Sequence, residues 1–400
     1  MKIAVRYAAV AIAVLFTVSC AESVPDKDYN EIEDEALAAW ISSNAPDAQL
    51  LGDTGIYYEV LESEGGTGKV DVRGRWIDVD YVIRDLSGDI IYTRNEQTTR
   101  LLGSYTEYTH YVPDRLYIAS EEGKSDIPAG LYRAFTNIIP GEMWRFYIPS
   151  RLAFASYGID TGSGYEGQHA LDADAPIIFD SVCIHNIVEN PQQEGRDAIV
   201  DLVTAPKPEG WGKRLDDSVR YGMYLEIFNR IDDNDTVKMN ESASIYYKVR
   251  FLDGKLINSN VDSVLYNNFG NVRSTDVTSA ISVTRMETTP TNANQMPAKV
   301  FYEILPELCY GDIGRVAVPS EYAYYRQYMH PDMNENLWSS TATFTFDLTY
   351  QYDDYTVDDA DYYFGLNTFY MPSSSSGCIP IAEIKPYTPL IYEFKVEKPD

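Results

Sequence analysis

Two stretches of this 400-residue chain, 170 positions apart, carry one pattern: Gly141-Glu-Met-Trp-Arg-Phe-Tyr-Ile-Pro-Ser-Arg-Leu-Ala-Phe154 and Gly311-Asp-Ile-Gly-Arg-Val-Ala-Val-Pro-Ser-Glu-Tyr-Ala-Tyr324. The Gly, Arg, Pro-Ser and Ala share a register. An acidic residue follows each Gly, and each stretch ends on an aromatic. A fixed-offset echo of this kind indicates a duplicated structural unit, which narrows the fold before any site is considered.

The echo extends in both directions. Gly55-Ile-Tyr-Tyr-Glu-Val60 is repeated as Gly222-Met-Tyr-Leu-Glu-Ile227, and Val79 to Ile91 as Ile245 to Ile257, with a Gly where a hairpin must turn. Gly130 to Ile139 and Val300 to Cys309 have helical spacing and precede a Gly. Ala175-Pro-Ile-Ile-Phe-Asp180 returns as Thr388-Pro-Leu-Ile-Tyr-Glu393, offset by 213, so the second unit carries 43 extra residues before its last strand. Each unit reads as strand, hairpin, helix, strand, long loop, strand, which predicts an α+β layering: an antiparallel sheet with one short helix on it. The predicted boundaries are 51–190 for unit one and 221–400 for unit two, whose insertion spans about 325–383. Alternating Phe344, Phe346, Leu348 and Tyr350 predict an added strand there. Residues 191–220 read as a linker, on the composition of Ala205-Pro-Lys-Pro-Glu-Gly-Trp-Gly212.

Upstream, residues 21–50 read as a tether and an amphipathic helix. Ile32, Ala36 and Trp40 recur every fourth residue from Asp28 to Ser43, with Leu37 and Ile41 beside them. Met1 to Arg6 is basic, Ala8 to Val18 is an apolar run of eleven, and Ser19-Cys20 follows. That run is too short to span a bilayer and reads as a signal peptide over 1–20. Cys20 resembles the lipidated Cys of bacterial lipoproteins, although Thr17 stands where those carry an aliphatic residue. Ordinary secretion is the plainer reading. The lipoprotein reading places the chain in the cell envelope, anchored to the outer membrane.

The charge is −29, and removing Lys2 and Arg6 leaves 30 basic residues against 61 acidic, or −31. Such a chain is repelled by nucleic acid and by anionic headgroups. The 33 tyrosines suit strands, where the ring packs and the hydroxyl stays wet. Beyond Cys20, the cysteines Cys183, Cys309 and Cys378 form no CxxC pair, and the four histidines lack metal-ligand spacing. The acidic runs 232–235 and 353–361 lack the Gly and distal Glu of an EF-hand, and no GxSxG occurs. The chain is expected to need neither metal nor cofactor.

In order, Leu252-Asp-Gly-Lys-Leu-Ile-Asn-Ser259, Ile127-Pro-Ala-Gly-Leu131, Ile148-Pro-Ser-Arg-Leu-Ala-Phe154 and Ile384 to Val396 resemble the hairpin, helix, loop and closing strand of FKBP-type (FK506-binding-protein) peptidyl-prolyl isomerases. The resemblance covers about 55–187 and 222–397 and implies two FKBP-like units. It also implies a chemistry. Rotating a prolyl imide costs about 18–20 kcal/mol because twisting breaks amide resonance. A dry aromatic pocket disfavours the planar form, and a few hydrogen bonds hold the twisted one.

Carried over by that resemblance, unit one has Tyr81 as wall, Ile91-Tyr92 for the hairpin Phe-Asp, Leu131 as floor, Phe154 for the loop Tyr and Phe179 on the closing strand. It keeps an apolar bowl and lacks both polar handles. Unit two has Tyr247 as wall, Ile257-Asn258, Phe301 as floor, Tyr324 as loop Tyr and Tyr392 on the closing strand. Tyr247, Asn258 and Tyr324 are therefore the candidate catalytic residues. The others are candidates for contact with a polypeptide substrate. An aromatic bowl in a small α+β fold is also simply its core, so packing competes with ligand contact at Tyr81 and Tyr247. Two functional readings follow: a prolyl isomerase or folding factor for extracytoplasmic chains, or a non-catalytic module whose degenerate pockets hold an envelope protein.

Overall fold

A computed structural model describes residues 28–107, 109–124, 127–154, 171–206, 222–270, 279–287, 298–323, 384–385 and 387–399. The elements begin with α1 (Tyr29–Asn44), β1 (Gln49–Leu50), β2 (Tyr57–Glu62), β3 (Arg75–Arg84), β4 (Ile90–Thr93), α2 (Glu96–Leu102) and β5 (Asp114–Ile118). Then come α3 (Ala129–Asn137), β6 (Met143–Ile148), β7 (Ile177–Val188) and α4 (Pro191–Thr204). Unit two follows with β8 (Tyr224–Asn229), β9 (Ser242–Phe251), β10 (Leu256–Ser259), α5 (Asp262–Phe269), β11 (Ile281–Thr284), α6 (Ala298–Ile304), β12 (Ile313–Val318) and β13 (Leu390–Glu397). None of the described helices is long and apolar enough to cross a membrane.

The strands form two antiparallel sheets with one topology. Unit one runs β1-β2-β6-β7-β3-β4, with β5 also on β3; unit two runs β10-β9-β13-β12-β8, with β11 also on β9. Apart from β1, every strand of the first sheet has a counterpart in the second. Register repeats as well. Phe179 lies between Ile83 and Phe146, and Tyr392 lies between Val249 and Val316. Alternation explains the shared choice: Ala243, Ile245, Tyr247, Val249 and Phe251 are all buried while their neighbours are partly exposed. A slip of one residue would turn that whole set to the other face.

The echoed residues have identifiable tasks. Gly141 and Gly311 enter β6 and β12 at φ 86° and 89°, the left-handed region that glycine tolerates. Their N–H groups donate to Ile184 and Val396 of the closing strands, at 2.9 and 2.8 Å. The echoed arginines pair across the sheet: Arg145 Nε with Asp180 at 2.8 Å, and Arg315 Nε with Glu226 at 2.9 Å. The hairpin arginines repeat more closely. Arg84 donates to Gly88 O and Asp180, and Arg250 donates to Gly254 O and Glu393.

A leading helix docks on each sheet. Leu37 and Ile41 of α1 pack with Tyr147 and Ile178 of unit one. Ile199 and Val203 of α4 pack with Tyr224, Ala317 and Ile391 of unit two. The repeat thus begins one helix earlier than the strand echoes suggest, and residues 191–204, read from sequence as part of a linker, are helical. Asn190 caps α4 by accepting from Gln193 N, and Pro191 holds its first position. The face that α1 buries is turned from the expected one. Leu37 and Ile41 are buried and Trp40 packs beside them, but Ile32 is 51 % exposed and Glu33 turns inward in its place. Glu33 draws the helix round, because its carboxylate accepts from Ser150 N at 2.5 Å and Arg151 lies 3.5 Å away. The expected strand at 344–350 lies outside the described residues.

Candidate functional site

In unit one, β3 supplies Tyr81, β4 supplies Ile91, α3 supplies Leu131, the turn after β6 supplies Phe154, and β7 supplies Phe179. All five are buried in one core. Tyr81 stands 5.2 Å from Phe179 and stacks on Tyr92 at 5.6 Å, and Phe135 meets Phe179 edge-on at 5.5 Å. Gly130 makes this packing possible, since a Cβ there would lie 2.3 Å from Ile148 Cγ2.

Sequence reasoning found no carboxylate for this bowl, yet one is there. Asp114, at the start of β5 and 5 % exposed, accepts from the Tyr81 hydroxyl at 2.8 Å and from that of Tyr92 at 3.4 Å. It comes from a different strand than the hairpin position that carries it in the family, so no motif flagged it. Its other oxygen faces Arg94 Nε at 3.2 Å and Lys385 Nζ at 2.9 Å. Burial pushes the Asp114 carboxyl up. Lys385 and Arg94, with hydrogen bonds from Lys385 and Tyr81, outweigh burial and leave it below the usual carboxylate range. Burial, with the Asp114 charge beside it, drives the Tyr81 hydroxyl well above a normal phenol. Tyr81 is therefore a neutral donor at any physiological pH.

Unit two assembles Tyr247 from β9, Ile257 from β10, Phe301 from α6 and Tyr392 from β13, each no more than 2 % exposed. Phe301 is the hub, with ring centroids 6.3 Å from Tyr247, 6.0 Å from Tyr392 and 5.9 Å from Phe394. Asn258 is buried and its Oδ1 accepts from Ser259 N at 2.7 Å. Two residues on, Asn260 braces the wall strand. Its Oδ1 accepts from Tyr247 N at 2.7 Å, and its Nδ2 donates to Ile245 O and Ser279 O. Ser259 Oγ donates to Tyr247 O at 2.7 Å. The hairpin resemblance points to Asn258 and passes over Asn260, whose bonds to the wall strand are made only in the folded sheet. Tyr324 and Cys20 lie outside the described residues.

A groove of about 610 Å³ in unit two is lined by Phe228, Tyr246, Lys248, Ile313, Glu393 and Lys395. Most of these alternate along their strands with the buried set and lie on the outer face of the sheet, while Tyr247 and Phe394, which also line the groove, belong to the aromatic cluster. The remaining candidates are local. Cys183 and Cys309 are buried free thiols, and burial pushes both up. His185 sits 2.8 Å from Asp80.

No protein-family model matches the chain, and no curated protein does. Among solved structures, it is similar to the three FKBP domains of wheat FKBP73 (11 % identity, 88 % of this chain and 98 % of that one, TM-score 0.26). It is similar also to a peptidyl-prolyl cis-trans isomerase from Pseudomonas syringae (22 %, 40 % of this chain and 98 % of that one, TM-score 0.27). A third is FkpA from Escherichia coli (16 %, 40 % of this chain and 59 % of that one, TM-score 0.27). These are FKBP-type proteins. The fold is defined by the strand order and registers that the two units share.

Proposed function

We propose that the chain is an exported, lipid-anchored prolyl isomerase or folding factor of the cell envelope. In this reading Cys20 carries the anchor, extracytoplasmic polypeptides are the substrates, and unit two does the work. The observation that carries it is positional: Tyr247, Phe301 and Tyr392 stand at the same sheet and helix positions as Tyr81, Leu131 and Phe179. Each sheet would close round its short helix, with Leu131 in unit one and the aromatic Phe301 in unit two as the floor. Unit two would bind an X-Pro segment over Phe301, with Tyr247 and Tyr392 as walls. Tyr324, which follows Ala323 in sequence, would donate its hydroxyl to the substrate carbonyl, with Asn258 as second polar group. Twisting the imide in an apolar site needs no nucleophile and no metal.

For unit one a specific observation favours the second reading, that of a non-catalytic binding module. Ile91, Leu131, Phe154 and Phe179 offer no hydroxyl or carboxylate, and the carboxylate that serves the bowl, Asp114, is already engaged.

A proline-isomerisation assay on the mature protein tests the proposal. Wild type should accelerate exchange, Tyr324→Ala should lose about tenfold or more, and Phe179→Ala, which empties part of unit one's core, should lower stability but retain the rate per folded molecule. A wild-type rate equal to buffer alone would sink the isomerase reading. Detergent-phase partitioning of wild type against Cys20→Ala tests the anchor, and equal partitioning refutes it.

A further inference from the structure

Unit two reaches into unit one with a lysine. Lys385 stands just ahead of β13 and is 8 % exposed. Its Nζ donates to Val112 O, Pro113 O and Asp114 Oδ1, each at 2.9 Å. An ammonium has three protons to give, and here three acceptors take them. Tyr387, 3 % exposed, meets Trp76 of β3 edge-on at 5.1 Å. It does so at φ 60°, a conformation a bulky residue adopts only where its surroundings hold it. The hairpin turn of unit two approaches the same part of unit one. His110 stacks on Phe251 at 3.8 Å with Nε2 2.9 Å from Asp253, and Lys255 Nζ donates to Thr109 O at 2.5 Å.

The lysine meets the carboxylate that serves unit one's bowl among the described residues. The other oxygen of Asp114 holds the Tyr81 and Tyr92 hydroxyls, so the ammonium sits across that carboxylate from the aromatic wall. Desolvating an ammonium costs several kcal/mol unless its partners are in place beforehand. Here they are fixed without it. Val112 O and Pro113 O are backbone groups, and Asp114 retains Arg94 as counter-charge if the lysine leaves. A site that stays charge-balanced when empty has the character of a receptor. Its three separate acceptors suit a compact ammonium better than the planar fork of a guanidinium.

We propose that Asp114, with the carbonyls of Val112 and Pro113, forms a receptor in unit one for a lysine on a polypeptide segment, and that its resident is Lys385 of the same chain. Unit one is thus a self-occupied peptide site that locks the two units together and is withheld from outside chains. This rests on reading unit one as a peptide-binding unit, and it does not depend on unit two being an isomerase.

Two measurements on the full mature chain test it. The first is amine labelling of the native protein, read peptide by peptide by mass spectrometry. Lys385 should label at least about tenfold more slowly than Lys248, and Asp114→Asn should abolish most of that protection. Labelling of Lys385 at the rate of Lys248 in wild type would overturn the proposal. The second vacates the site with Lys385→Ala/Tyr387→Gly and adds a fluorescent peptide of sequence Ile-Lys-Pro-Tyr-Thr-Pro-Leu. The vacated variant should bind it saturably while wild type does not, and acetylating the peptide lysine should weaken binding about tenfold or more. Equal binding of the acetylated peptide, or none of either, would overturn the receptor. Neither readout involves isomerisation, so a protein inactive on proline can still pass both.

Discussion

Arg151 grips Asp34 of α1 through two hydrogen bonds of 2.7 and 3.0 Å, and one repeat later Arg196 of α4 makes the equivalent contact with Glu321, the charges exchanged. Both contacts join a leading helix to the turn that follows the Pro-Ser pair. The duplicated unit is therefore helix plus sheet, and the two copies have diverged by swapping signs across one interface.

Reversing the charge at Arg151 should loosen α1. Arg151→Glu removes the paired hydrogen bonds and sets a third carboxylate beside Glu33 and Asp34. A loss of about 1–3 kcal/mol is expected, because Glu33 is buried and cannot escape to water. Asp34→Arg in that background should recover part of it. Denaturant midpoints of the two variants check the order, and equal midpoints would show that the pair contributes nothing.

The opening Gly of the repeat should tolerate no side chain in unit one. A Cβ on Gly141 would stand 2.1 Å from Gly65 O, whereas one on Gly311 would meet the Ile231 side chain at 2.7 Å. Both positions have positive φ, which alone costs alanine about 1 kcal/mol. Backbone cannot yield as a side-chain methyl can, so Gly141→Ala should lower Tm clearly more than Gly311→Ala. Equal shifts would contradict this.

The floor of unit two separates packing from chemistry. Phe301→Ala should cost about 3–5 kcal/mol, as large-to-small changes in a filled core do. Phe301→Leu should cost less, about 1–2 kcal/mol, since most of the buried volume is kept although the ring contacts go, and leucine already stands at the equivalent position, Leu131, in unit one. If unit two is an isomerase, Phe301→Leu should leave a folded protein with an altered rate. Thermal unfolding and the isomerisation assay, run on the same sample, decide.

Acid should release the lock at Asp114. Its folded-state carboxyl is held below the usual range, so the stability it contributes is complete above the unfolded value of about 4 and is lost as pH falls through the lower folded value. Tm should be insensitive to this group near neutrality and should drop below about pH 4. Asp114→Asn should lose about 3–5 kcal/mol at neutral pH by stranding Lys385 and Arg94, and should flatten the acid limb. An acid limb as steep as wild type would assign the transition to other carboxylates, such as Asp180.

What could be seen in the sequence was whatever is local. The alternation of β9 and the helical spacing of α3 and α6 are visible because each is set by neighbours within a few residues. The helix at 191–204 left the same kind of trace in Asn190 and Pro191, but two exposed polar turns hid its narrow stripe of Ile199 and Val203. The inward turn of Glu33 could not be seen at all, since a buried carboxylate makes sense only beside Ser150 N and Arg151.

By itself the sequence determined two copies of one succession of strand, hairpin, helix and strands, because side-chain period and glycine turns are properties of short segments; the order of the strands in each sheet, with β5 and β11 added, came from the fold. The sequence also located the aromatic cores, because repeat alignment carries residue positions from one copy to the other. Tertiary structure alone decided how those cores are served. The carboxylate of unit one arrives on β5 rather than in the hairpin, and its lysine partner lies 271 residues away. A charge pair across that distance imposes no periodicity on either segment, so only the packed fold brings Asp114 and Lys385 together.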